Sequence, residues 1–156
     1  MASIEIRPIN QNEKEEIIKL SKTLVDTYEN KDADYYNQIL ENFKHGINDR
    51  IIDFKSIWYN GELSGYFHLG KKDETRMELY FLFVIEEFRK KGIGSHVIEH
   101  AIYHSFHKKR KLYIEVSKKN TYAIKFLTDF GFKTVNDGDK VKNFVVAFEV
   151  DPRAAK

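Results

Sequence analysis

The sequence predicts a mixed α/β (α+β) fold: a central, mostly antiparallel sheet with one parallel strand pair, flanked by helices. Three observations carry that prediction. The nine residues from Met77 to Ile85 are apolar apart from Glu78 and rich in aromatics, which suits a strand covered on both faces better than a helix. Ahead of it, Asn60-Gly61 separates two alternating runs, the dipeptide a type I′ hairpin prefers because both central residues need positive φ. Behind it, a glycine turn, a helical stripe and a second strand follow in that order, which makes this strand pair parallel with a right-handed crossover.

Taken in order, Ile4-Glu5-Ile6-Arg7 alternates and meets Pro8, so it reads as a short first strand. Asn10 or Asn12 is placed to cap a helix that carries Ile17, Leu20, Leu24 and Tyr28 on one stripe, with Ile18 and Val25 beside it. Residues 30–34 break it, and Tyr36, Ile39, Leu40, Phe43 and Ile47 mark a second helix. Ile57 to Tyr59 and Leu63 to Leu69 form the hairpin. Lys71 to Thr75 turns the chain into the long strand. The helix after Gly94 runs to about Lys108, with Ile93, Val97, Ile98, Ala101 and Ile102 on its apolar face. Leu112 to Val116 is the next strand. Thr121 to Phe130 is a helix stopped by Gly131, a good residue to follow a helix end. Phe132 to Val135 and Asn143 to Val150 pair across a turn at Asn136 to Asp139, and residues 151–156 read as a loose tail.

The turn Arg89-Lys90-Lys91-Gly92-Ile93-Gly94 is where chemistry is expected. Its glycines let the backbone turn tightly and approach a ligand closely. The helix behind it offers free N–H groups and a positive dipole end, a combination that suits a phosphate or pyrophosphate. A Walker loop needs Gly-Lys-Ser/Thr, but Gly94 is followed by Ser95-His96. A dinucleotide fingerprint needs a third glycine where Val97 stands, and Glu115 fits its acidic position only loosely.

Composition narrows the rest. A chain of 156 residues predicts one domain and a core that needs no staples. With no cysteine, disulfides, thiolate metal sites and cysteine nucleophiles are excluded. Met1-Ala2-Ser3-Ile4 lacks the shape of a signal peptide and no run reaches the ~20 apolar residues of a membrane span, so a cytoplasmic location away from membranes is expected. A net charge of +2 does not demand nucleic acid. The basic clusters at 89–91, 108–111 and 118–119 are local; Lys108-Lys109-Arg110-Lys111 sits at a helix end, where cations favour the dipole.

Val84, Arg89 five residues on, then Gly92 and Gly94 resembles the acetyl-CoA loop of the GNAT N-acetyltransferase superfamily, Arg/Gln-x-x-Gly-x-Gly/Ala. Downstream, Asn120-x-x-Ala123-x-x-Phe126-Leu127-x-x-x-Gly131-Phe132 resembles the second half of that signature, Asn-x-x-Ala-x-x-Leu-Tyr-x-x-x-Gly-Phe. The resemblance covers nearly the whole chain, strongly from Met77 to Phe132 and in outline before Ile57. It implies one GNAT domain over 1–156 whose parallel strands splay apart. It also implies acetyl-CoA as cosubstrate and direct transfer of the acetyl group to an amine.

On this resemblance the backbone of Phe83 and Val84 would pair with the pantetheine amides like an added strand. N–H groups of Lys91, Gly92, Ile93, Gly94 and Ser95 would hold the pyrophosphate, with charge from Arg89 and Lys90. Asn120 would contact the pantetheine arm or steady the loop after the strand, and Lys118 and Lys119 would reach the adenosine phosphates. Glu78 is the candidate general base; a strand-start glutamate facing solvent is the competing reading. The family often places a thiolate-protonating tyrosine where this chain has Leu127, and neither Tyr122 nor Tyr113 matches that position. A non-catalytic acyl-CoA-binding module, acting as sensor or partner-binding domain, therefore stays open beside the enzyme. Expected partners are a small-molecule or peptide amine, with room for a homodimer and little case for nucleic acid.

Other groups read as structural. His96, His100, His104 and His107 fall at near-helical spacing with only Glu99 for company, which fits a solvated face better than a metal site. Trp58, Phe67, Phe81 and Phe83 read as core. Glu29, Asp32 and Asp34 read equally as a solvated loop or as an attractor for a cationic amine.

Overall fold

The computed structural model describes residues 2–19, 41, 45, 53–135 and 145–153. Seven strands, β1 (Ile4–Pro8), β2 (Phe54–Tyr59), β3 (Glu62–Lys71), β4 (Arg76–Val84), β5 (Lys111–Ser117), β6 (Lys133–Val135) and β7 (Val145–Val150), pair in the order β1-β2-β3-β4-β5-β7-β6. The β1–β2, β2–β3, β5–β7 and β6–β7 pairs are antiparallel, and β4–β5 is parallel. The parallel ladder covers Arg76–Lys111, Met77–Leu112 and Glu78–Tyr113, although β4 runs on to Val84 and β5 to Ser117. This is the mixed, mostly antiparallel sheet with a splayed parallel pair that was expected. The chain divides into two compact units, residues 1–68 with 81–93, and residues 69–80 with 94–156.

In the first unit the hairpin turns at Asn60 (φ 50°) and Gly61 (φ 85°), the positive pair a type I′ turn needs. Asn60 also ties the hairpin to the chain start: its Oδ1 accepts from the Ser3 N–H at 2.8 Å, and its own N–H donates to the Ser3 carbonyl at 2.8 Å. The Asn10 N–H donates to Glu13 Oε1 at 3.0 Å, half of a capping box, and residues 14–19 continue as helix. Phe54, Ile57, Tyr66, Phe67 and Phe83 form the buried core, joined by Ile17. Trp58, expected in that core, is only half buried. Its indole donates to Ser56 Oγ at 2.9 Å, and the Arg7 guanidinium lies 4.4 Å above the ring. Alternation carried Trp58 away from the core, and a cation covers it instead.

In the second unit, which takes in helix Ile93–His107 from Gly94 onward, the helix buries Val97, Ile98 and Ala101, and β5 and β7 contribute Leu112, Ile114 and Phe148. Helix Thr121–Phe130 ends as expected: Gly131 is left-handed (φ 111°), its N–H donates to the Thr128 carbonyl at 3.1 Å, and the Phe132 N–H returns to the Leu127 carbonyl at 3.0 Å. Lys109, also at positive φ, ends the first helix. Arg110 next to it donates to the Glu74 carbonyl at 3.1 Å, so this basic run is partly committed to packing. Leu20, Leu24, Val25 and Tyr28, the stripe from Tyr36 to Ile47, the acidic group at 29–34, and the turn at 136–139 lie outside the described residues.

Candidate functional site

The far end of β4 is built from backbone. Ile57 pairs with Gly65 but Trp58 pairs with Leu63, so Ser64 is an extra residue, a β-bulge. The Ser64 hydroxyl donates to the Ile57 carbonyl at 3.1 Å, and its own carbonyl accepts from the Ile85 N–H at 2.8 Å. A Cβ on Gly65 would run into the Phe83 carbonyl oxygen. Glycine therefore lets β3 lie against Phe83 and Val84, and the bulge holds the exit of β4 in place.

A single 3₁₀ turn, Glu86–Phe88, leads into the basic loop. Arg89 reaches back, its Nε donating to the Val84 carbonyl at 2.9 Å. This one side chain, expected to supply charge, also closes the loop on the strand. Lys90 (φ 62°) and Gly92 (φ 83°) both have left-handed backbone. Holding a non-glycine residue there costs about 1–2 kcal/mol, yet a lysine occupies it. Nothing lies within 4 Å of where a Gly92 Cβ would point, so glycine is required by φ and the surface above it is open. Lys91 Nζ lies 5.8 Å from the centre of the Tyr59 ring, which itself meets Phe88 edge-on.

In the second unit, Gly94 and Ser95 sit in the first turn of helix Ile93–His107, where N–H groups have no partner within the helix. A Cβ on Gly94 would make ordinary contact, 3.8 Å, with Phe126. Asn120 caps helix Thr121–Phe130 by accepting from the Ala123 N–H at 3.0 Å, which fixes the start of that helix. Leu127 is buried, with 3% exposure, whereas Tyr122 is 75% exposed. Tyr113 is fully buried, and its hydroxyl donates to Glu115 Oε2 at 2.7 Å.

Glu78 closes the parallel ladder opposite Tyr113. Its side chain is only 18% exposed and faces Lys72, whose Nζ lies 3.9 Å from Oε1. That ammonium also sits 4.4 Å over the Tyr113 ring, with the Arg76 guanidinium at 5.0 Å from the same ring. Arg76 is held by Asp73 at 2.7 Å and Glu149 at 3.3 Å. Its hydrogen bonds to Asp73 bring that carboxyl down to about 2, against an ordinary 3.8. The solvent-facing alternative for Glu78 therefore gives way to a largely covered carboxylate in a network of charges.

Residues 17–132 match the model of the Acetyltransferase (GNAT) family. The chain belongs to the GNAT acetyltransferase family. The cosubstrate of that family is acetyl-CoA. No curated protein matches the sequence. Among solved structures, the chain resembles the PaiA N-acetyltransferase of Thermoplasma acidophilum in complex with coenzyme A, with 19% identity, 96% of this chain and 99% of that chain covered, and a TM-score of 0.74. Naa50 of Arabidopsis thaliana, solved with the bisubstrate analogue CoA-Ac-MVNAL, gives 19%, 95% and 98%, and 0.65. YncA of Salmonella typhimurium, solved with acetyl-CoA, gives 14%, 97% and 95%, and 0.67. At these identities the likeness is one of fold.

Against the GNAT pattern, Phe83, Val84 and Arg89 to Ile93 fall together at the end of β4, in the first unit. Gly94, Ser95, Asn120 and Glu78 belong to the second. Sequence reasoning missed three contributors. Gly65 carried a signal, a glycine inside a strand pattern. Ser64 beside it did not, since its bulge depends on pairing register. Lys72 lay in a run read only as a turn. Among the described residues no group of three or more His, Asp or Glu side chains could hold a metal ion, and no helix is long and apolar enough to cross a membrane.

Proposed function

We propose that this chain is an N-acetyltransferase that moves the acetyl group of acetyl-CoA directly to a primary amine, within a single domain spanning 1–156. The observation that carries this reading is the turn between β4 and helix Ile93–His107 in a member of the GNAT family. Lys90 and Gly92 both adopt positive φ there, and the helix begins at once behind them. Alternating left-handed residues gather N–H groups into an anion-binding concavity, and the lysine keeps its charge in a conformation glycine would adopt more cheaply. The pyrophosphate is assigned to the N–H groups of Lys91 to Ser95, with Lys90 and Arg89 adding charge. The pantetheine amides are assigned to the backbone of Phe83 and Val84; the Val84 carbonyl keeps a second lone pair beside its bond to Arg89. Asn120 acts by fixing the helix start rather than by reaching out.

An alkyl amine with a pKa of about 10.4 is almost entirely protonated at neutral pH, so it must lose a proton before it attacks. Glu78 takes that proton, directly or through one water. Lys72 Nζ stands beside it, 3.9 Å from Oε1. The departing thiolate takes a proton from the amine or from water, since a thiol with a pKa of about 8.5 needs no strong acid near neutral pH. Thiol release from acetyl-CoA across a panel of alkylamines, peptides and aminoglycosides tests the proposal, with turnover of at least one amine expected.

A second reading, an acyl-CoA-binding module without catalysis, is favoured by a specific observation. Leu127 is buried where the family often has a tyrosine, Tyr122 points to solvent, and the Tyr113 hydroxyl is bonded to Glu115. Tight CoA binding with no turnover on any amine would select it.

A further inference from the structure

The hairpin between β3 and β4 delivers a lysine to the candidate base. The Lys72 N–H donates to the Arg76 carbonyl at 2.9 Å, and the Asp73 N–H shares that acceptor at 3.2 Å. The backbone of Lys72 is thus fixed, and its side chain runs toward Glu78. The resulting ion pair is long, 3.9 Å from Nζ to Oε1. That exceeds a direct N–H···O bond and is loose enough to rearrange. The other support for the ammonium is the face of Tyr113. Carboxylate on one side and aromatic face on the other is a seat for an alkylammonium, and here the chain's own lysine occupies it.

Resting on the site reading above, we propose that Lys72 is itself an acetyl acceptor, a self-modification site of this protein. If Glu78 takes the proton of an incoming amine, the reacting nitrogen must lie within hydrogen-bond or one-water reach of its carboxylate, and Lys72 Nζ already meets that condition. The Lys72 ammonium gives one proton to Glu78. The freed lone pair forms the C–N bond to the thioester carbonyl carbon as the C–S bond breaks. A second N–H proton goes to the leaving thiolate, giving N-acetyl-lysine and free CoA thiol, and Glu78 returns its proton to water. The product is neutral, so the modification removes the cation next to Glu78 and over Tyr113.

Lys71 supplies an internal reference. It is the adjacent residue, more exposed, and held to Glu74 at 2.7 Å. The folded full chain is incubated with acetyl-CoA alone, and acetylation of each lysine is followed by peptide mass spectrometry, with heat-unfolded protein alongside. Lys72 is expected to acquire acetyl at least about tenfold faster than Lys71 in the folded protein, and at the same rate in the unfolded one. Glu78→Gln should bring the Lys72 rate down toward that of Lys71, since a positioned base contributes about 10²–10⁴-fold. A Lys72 rate no greater than that of Lys71, or a Lys72 rate unchanged in Glu78→Gln, overturns the inference. Turnover of an added amine with Lys72 unmodified overturns it while leaving the proposed function standing. Absence of turnover on every amine, with Lys72 still acetylated in a Glu78-dependent way, sinks the external acceptor but not this inference.

Discussion

The two ends of β4 work by different means. At Arg76–Glu78 the strand contributes side chains: a carboxylate facing Lys72, and a guanidinium shared between Asp73 and Glu149. At Phe83 and Val84, with Ile85 just beyond it, it contributes backbone: carbonyls and N–H groups held by a glycine, a bulged serine and a returning arginine. On the function proposed above, one end moves protons and the other grips an extended ligand. A side-chain site tolerates backbone-neutral substitutions but loses its chemistry with one functional group. A backbone site tolerates almost any side chain except where a Cβ intrudes. The most informative experiments set one end against the other.

The largest effect on stability is expected from Gly65→Val. Its branched side chain would collide with the Phe83 carbonyl, and the strands must part or shift, costing about 3 kcal/mol or more. Urea unfolding should show this directly, and CoA affinity should fall with it; a variant of wild-type stability would show that β3 and β4 do not need the close approach. At the other end, Glu78→Gln should leave stability and the KM for acetyl-CoA nearly unchanged while kcat drops by about 10²-fold near neutral pH. The loss should shrink as pH rises and more amine arrives neutral. Rates equal to wild type across pH would make Glu78 a structural member of its charge network.

The loop separates the two ends more finely. Gly92→Ala places a side chain at φ 83° and should cost about 1 kcal/mol, whereas Gly94→Ala meets only Phe126 at ordinary contact distance and should stay within about 0.5 kcal/mol. Gly92→Asp and Gly94→Asp should both weaken CoA binding strongly by adding like charge at the pyrophosphate. Calorimetric titration checks this, and unchanged affinity in either would remove the phosphate assignment. Leu127→Tyr is a smaller test of the missing acid. Leu127 is buried, so the larger side chain is expected to lower stability by about 1–3 kcal/mol rather than raise kcat; a faster, equally stable enzyme would contradict this.

The smallest effect concerns Asp73. Its carboxyl is held at about 2 by Arg76, below its ordinary 3.8. A depressed acid stabilises the folded state above the unfolded value and loses that contribution as pH falls through the folded one. Stability should therefore decline between about pH 4 and pH 2, and Asp73→Asn should remove that part of the slope. The side chain is 40% exposed, so solvent screening keeps the contribution below about 1 kcal/mol. An unaltered acid limb in thermal melts of Asp73→Asn would mean the Arg76 pair adds nothing.

What the sequence determined by itself is local. Asn60-Gly61, the apolar run of β4, the left-handed Gly92 and the Gly131 stop each act through φ preference, period or capping within a few residues, and each stands where it was expected. So does the parallel pair, because strand–helix–strand order leaves little choice. That Asn120 caps the helix before Gly131 was not foreseen. Only tertiary structure decided which side chains meet. Lys72 reaches Glu78 because the hairpin closes at Arg76; Ser64 bulges because the β2–β3 register slips by one residue; Arg7 covers Trp58 because β1 adds beside β2. Arg89 bends back to Val84, and Leu127 turns inward. These contacts depend on strand register and on which rotamer packing leaves open, and neither is encoded in any short stretch of sequence.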